Sequence, residues 1–260
     1  MILTQPGINS RQDCIIIQCS LYQYRQLSNL IMLFSGSFYR SIVAKFFMLI
    51  SISKRFLFIA NSKTASTSLS KALRPYAEIE RQGSPDRKHV SMGAVLDHYK
   101  FLFELPPFAP DTFFRFGVIR DPLDWIHSWY RYRQRAKGTR LIASTTTFED
   151  FWRRRDWNII KNGSPNLQIY KFTDKDFKPL VDYLIPYDQL AEHFQLICDT
   201  MGIETNLERL NTSHQRSSTQ DIDENLKAEI VEFYARDYEL ISQTEDLNKA
   251  GLAHLKNTRS

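Results

Sequence analysis

Residues 55–73 pass from an apolar run, Phe56, Leu57, Phe58 and Ile59, through a polar loop into a stretch that suits a helix until Pro75 stops it. A strand that runs through a short loop into a helix points backbone N–H groups at one spot, and such a spot holds anions. This loop adds to that. Between Ser62 and Ser68 it carries Lys63 and five hydroxyl side chains, Ser62, Thr64, Ser66, Thr67 and Ser68, with Ala65 among them. The lysine supplies a point charge and the hydroxyls supply donors. The chain is therefore expected to fold around a phosphate or sulfate cradle at a strand-to-helix junction.

The cradle is not a Walker A loop. That motif needs two glycines, and here no glycine occurs between Gly36 and Gly83. Without glycine, a wide wrap through positive φ is not expected.

A second junction follows. Residues 113–119, Phe-Phe-Arg-Phe-Gly-Val-Ile, read as a strand, and Arg120, Asp121 and Pro122 come directly after. Asp121 suits an N-cap and Pro122 the first helical position, with Asp124 adding negative charge to the first turn. Arg120 at the strand end can fork onto a phosphate. Ser128, two turns into the helix, is a third donor if its face turns back to the strand ends.

The run Lys63, Thr64, Ala65, Ser66, Thr67, Ser68 resembles the 5′-phosphosulfate loop of sulfotransferases that use 3′-phosphoadenosine 5′-phosphosulfate (PAPS). It is most similar to that of the carbohydrate sulfotransferases, notably the heparan sulfate 2-O-sulfotransferase group and its bacterial relatives. Arg120-Asp121-Pro122, Ser128 eight positions after the arginine, and the aromatic pair Trp129-Tyr130 resemble the family's 3′-phosphate motif. The likeness covers residues 55–135 clearly and the chain to about 240 loosely. It implies PAPS as co-substrate, binding at Ser62, Lys63, Thr64, Ala65, Ser66, Thr67, Ser68, Arg120 and Ser128. It also implies a hydroxyl acceptor on a glycan or glycolipid.

Transfer to a hydroxyl needs a base, and an imidazole suits that near neutral pH. Members of the family use a histidine or glutamate between the two motifs. His89 lies there, ahead of a helix that Ser91 is placed to cap. His214 is the runner-up; His98, His127 and His193 fall within expected helices, and His254 lies near the chain end. A basic C-terminal loop often closes over the cofactor in sulfotransferases, which assigns that part to Arg216 and Ser213, although the Arg-Lys-Gly signature of the cytosolic enzymes is missing. Lys63 and His89 are thus the expected catalytic residues. Two alternatives stay open: a P-loop phosphotransferase, and a non-catalytic nucleotide- or glycan-binding protein on the same fold.

The net charge of +5 suits a multiply anionic ligand. Basic residues at 131–140 and 153–155, interleaved with aromatics, read as solvated helix faces, some of them lining an acceptor groove. No nucleic-acid motif accompanies them, and nucleic acid is not an expected partner. Cys14, Cys19 and Cys198 form no disulfide framework, and no Cys/His cluster has metal-ligand spacing. A reduced compartment and no metal are expected.

Strands alternating with helices predict an α/β fold, a three-layer P-loop-like sandwich with a central, mostly parallel sheet flanked by helices. The binding edge is then the carboxyl end of the strands. Residues 54–243 are expected to form this domain. Residues 187–201 read as a helix ended by Gly202, residues 221–241 as another, and residues 244–260 as a frayed tail. Residues 1–53 read as an extension with a possible apolar helix at 29–52, interrupted by Arg40 and Lys45. A signal anchor, a helix packed on the domain, and sequence upstream of the true start all fit this segment. The short distance from it to the cradle favours a cytoplasmic or peripherally attached protein over a single membrane pass. Oligomeric state is not legible.

Overall fold

A computed structural model of the chain describes residues 16–17, 48–81, 90–205 and 222–258. Its main sheet is mixed. The strands are β1 (Ile16–Ile17), β2 (Met48–Ser51), β3 (Phe56–Ile59), β4 (Ile79–Glu80), β5 (Phe114–Ile119) and β8 (Tyr183–Pro186), in the order β1-β4-β2-β3-β5-β8. β6 (Ile160–Lys161) and β7 (Ser164–Pro165) form a separate small hairpin. β3, β5 and β8 run parallel, while β2 pairs antiparallel with β3 and with β4, and β1 antiparallel with β4. The parallel expectation therefore holds for the half of the sheet that ends in the two junctions; the other half is antiparallel.

Every residue of β2 and β3 is buried, as strands covered on both faces must be. Phe56 and Phe58 join Phe114, Phe116 and Val118 on one face. There they meet Leu69 and Leu73 of α1 (Ser66–Leu73), Phe194, Ile197 and Met201 of α7 (Leu190–Met201), and Leu255 of α10 (Thr244–Asn257). Leu57, Ile59 and Ile119 point the other way. They join α2 (Met92–His98), α4 (Pro122–Arg135), α5 (Phe148–Arg153), α8 (Glu224–Phe233) and α9 (Ala235–Ser242) through Val95, Trp125, Ile126, Trp152, Ile230 and Leu240. The short helices α3 (Lys100–Phe103) and α6 (Ile169–Phe172) complete this layer. Gly117 on β5 admits the Phe172 ring: a Cβ there would lie 2.5 Å from it.

Several expectations are corrected. Residues 48–51 of the supposed apolar helix are strand β2, joined to β3 by a tight turn in which Arg55 takes φ 50°. A four-residue apolar run does not distinguish strand from helix by its period. The sheet therefore begins before residue 54, and residues 29–47 lie outside those described. Residues 244–257 are not a frayed tail but helix α10, docked on β8. The Asn248 amide donates to the carbonyl of Leu184 and accepts from its N–H, both at 2.8 Å, so it closes the open edge of β8 as a strand would. The expected helix at 221–241 is broken at Tyr234 into α8 and α9. Gly202 ends α7 in the left-handed region, as expected. Among the described residues no helix is long and apolar enough to cross a membrane.

Candidate functional site

β3 and β5 are parallel neighbours, so their carboxyl ends, and both loops, meet at one edge of the sheet. The first loop leaves β3 through the buried Ala60 and Asn61 and enters α1 at Ser66. Lys63 has φ 63° and Ala65 φ 56°. The loop thus makes its left-handed wrap without glycine, against expectation, and each such residue costs about 1–3 kcal/mol unless its surroundings hold it.

The holding groups are identifiable. Thr64 Oγ1 donates to the Asn61 carbonyl at 2.9 Å. Trp125 Nε1 donates to the Ser62 carbonyl at 2.7 Å, and Arg120 Nη1 to the Lys63 carbonyl at 2.7 Å. In a trans peptide the N–H points opposite its C=O. With three consecutive carbonyls taken by protein donors, the N–H groups of Ser62, Lys63 and Thr64 each point away from those donors. No acidic residue sits in the first turn of α1, so the positive end of that helix keeps its sign. Thr64, Ser66 and Ser68 are buried in the loop wall. Lys63 Nζ lies 4.5 Å from the centre of the Tyr132 ring and 5.8 Å from that of Trp129, which turns its charge toward α4.

The second junction is built as its sequence implies. Asp121 caps α4, its side chain accepting from Asp124 N at 2.9 Å, and Pro122 opens the helix. Arg120, 6% exposed, has its Nε on Asp124 Oδ2 at 2.7 Å and its Nη1 on the Lys63 carbonyl. Its guanidinium stacks 4.0 Å from the Tyr187 ring. Two of its donors are therefore engaged by protein, and the side chain links the two loops. Ser128 is half-buried, three residues after Trp125 and four before Tyr132, so it shares the helix face that touches the cradle. His127 packs instead against Tyr130 and Phe148. Burial lowers its pKa, Arg131 lowers it further, and Asp124 opposes the shift.

The structure brings Ser62, Lys63, Thr64, Ala65, Ser66, Thr67, Ser68, Arg120 and Ser128 to one edge of the sheet. His89, Arg216, Ser213 and His214 lie outside the described residues. Of the basic residues read as solvated faces, Arg133 is instead buried on Asp156 and Asn158, whereas Arg153 and Arg154 are exposed as expected, and Arg153 and Arg155 both pair with Glu229. Sequence reasoning missed Asn61 and Gln168, whose amides join the roots of the two loops: Asn61 Nδ2 donates to Gln168 Oε1 at 2.7 Å. No residue-type signal marked either, since a lone buried amide has meaning only through its partners.

Comparison with models of known protein families, with curated proteins and with solved structures gives no significant match.

Proposed function

We propose that this chain is a sulfotransferase that moves the sulfuryl group of PAPS to a hydroxyl of a carbohydrate or glycolipid, on a P-loop-like fold. The observation that carries the reading is the contact between the two motifs. The Lys63 carbonyl is held by Arg120 at 2.7 Å, at the adjoining ends of parallel strands. A nucleotide with anionic groups on both its 5′ and 3′ positions needs two such sites side by side. The glycan or glycolipid acceptor rests on the resemblance alone.

The donor set fits the co-substrate. The N–H groups of Ser62, Lys63 and Thr64, together with the hydroxyls of the loop, suit the 5′-phosphosulfate, and Arg120 and Ser128 suit the 3′-phosphate, with Arg216 added by the resemblance. PAPS supplies an activated sulfuryl group whose S–O bond to phosphate breaks as the acceptor oxygen bonds to sulfur. His89 is assigned the acceptor's proton, on the resemblance. Lys63 and the N–H groups of the loop stabilise the charge that grows on the bridging oxygen, from fixed positions that need no reorganisation.

The test is transfer of radiolabelled sulfuryl from PAPS to a panel of oligosaccharides and glycolipids. Lys63→Ala is expected to lower turnover by about 10²- to 10³-fold, the scale of removing one such donor, with circular dichroism unchanged. Wild-type turnover in a folded Lys63→Ala chain contradicts the assignment.

A further inference from the structure

Gln168 belongs to neither motif, yet it touches the root of each. It precedes α6 and is 1% exposed. Its Nε2 donates to the Arg120 carbonyl at 2.7 Å, and its Oε1 accepts from Arg120 N at 3.2 Å. One side-chain amide thus pairs with both backbone groups of Arg120, as a neighbouring strand would, just where β5 has ended. The same Oε1 accepts from Asn61 Nδ2, and Asn61, 2% exposed, stands at the entry to the cradle.

Gln168 is itself held from below. Asp237 on α9, with no exposed surface, accepts from Gln168 N at 3.0 Å and from Ile169 N at 2.8 Å. Each of its two oxygens takes one N–H, Oδ2 from Gln168 and Oδ1 from Ile169, so the backbone is fixed at two successive residues. The chain of contacts runs from Asp237 through Gln168 to Asn61 on one side and Arg120 on the other, entirely within the interior. Gln168 has no bond to the Lys63 side chain or to Ser128 among these contacts; whatever it does to a ligand, it does through Asn61 and Arg120.

We infer that Gln168, held by Asp237, is a positioning residue that sets the spacing between the two anion-binding junctions and thereby selects nucleotides carrying both a 5′ and a 3′ anionic group. The inference rests on the sulfotransferase reading and deepens it. A ligand that meets one junction is indifferent to their spacing, whereas a ligand that bridges both binds best at one spacing. Loosening the clamp therefore costs the bridging ligand more.

The experiment is calorimetric titration of the full chain with adenosine 3′,5′-bisphosphate and with adenosine 5′-monophosphate. The preference between them is a readout that a merely structural role would not move. Gln168→Leu is expected to cut the preference for the bisphosphate by about tenfold or more while monophosphate affinity changes by about threefold at most. Asp237→Asn, which keeps the size but offers one acceptor oxygen to two N–H groups, is expected to cut it less, in the same direction; it decides the matter if Gln168→Leu does not fold. A folded variant with the wild-type preference overturns the positioning role alone. Failure of both variants to fold, judged by circular dichroism, assigns the pair to stability and overturns it too. A wild-type chain with no preference for the bisphosphate overturns the sulfotransferase reading itself.

Discussion

Asp237 is a carboxylate with no exposed surface, and burial pushes its pKa up to about 6, with the N–H groups of Gln168 and Ile169 pulling the other way. The folded protein therefore holds this proton more tightly than the unfolded chain, whose aspartates titrate at about 4. Its contribution to stability is fully present below that value and is lost as pH rises through about 6. Urea denaturation across this range should show the wild-type advantage over Asp237→Asn shrinking as pH rises; an advantage that grows contradicts the account. At this scale the strand-to-helix placement of the Lys63 loop was legible and the clamp was not. Lys63 and the hydroxyls around it are the residue types an anion site needs, which is why the proposal could start from them. Asn61, Gln168 and Asp237 are ordinary residues until the fold brings positions 61, 120, 168 and 237 together. Left-handed φ at Lys63 and Ala65 was likewise hidden, because the bonds from Trp125 and Arg120 that hold the loop come from far along the chain.

At the scale of elements, α10 shows packing overruling propensity. Gly251 in a helix interior costs roughly 1 kcal/mol against alanine, so Gly251→Ala would stabilise an isolated helix. Here an added Cβ would lie 1.8 Å from the Asp182 carbonyl oxygen, just before β8. The substitution is expected to push α10 off the sheet and to destabilise the protein by about 1–3 kcal/mol or more, read as a lower thermal midpoint. An unchanged or raised midpoint would show that the docking is not as described. The two strand-to-helix junctions were legible because their signals are local: an apolar run, a polar loop, then Asp121 and Pro122 in capping positions. β2 and α10 were not, since β2 is named a strand only by its partners β3 and β4, and α10 is a polar helix anchored through Asn248 and Gly251.

At the scale of the molecule, helices cover both faces of a mixed sheet, and the parallel half of that sheet carries everything the proposed function uses. The layers follow from strands that are apolar on both faces, which is why the α/β class could be read from sequence while the antiparallel half could not. The rigid core beneath β3 and β5 serves one purpose in this account: to hold two anion sites at the separation of a doubly charged nucleotide. The most direct test is calorimetric titration of the chain with adenosine 3′,5′-bisphosphate, compared with ATP plus Mg²⁺ and with the Arg120→Ala variant. Micromolar binding of the bisphosphate that exceeds ATP binding and is lost in the variant is the expected result. No binding, or a preference for ATP with Mg²⁺, would contradict it.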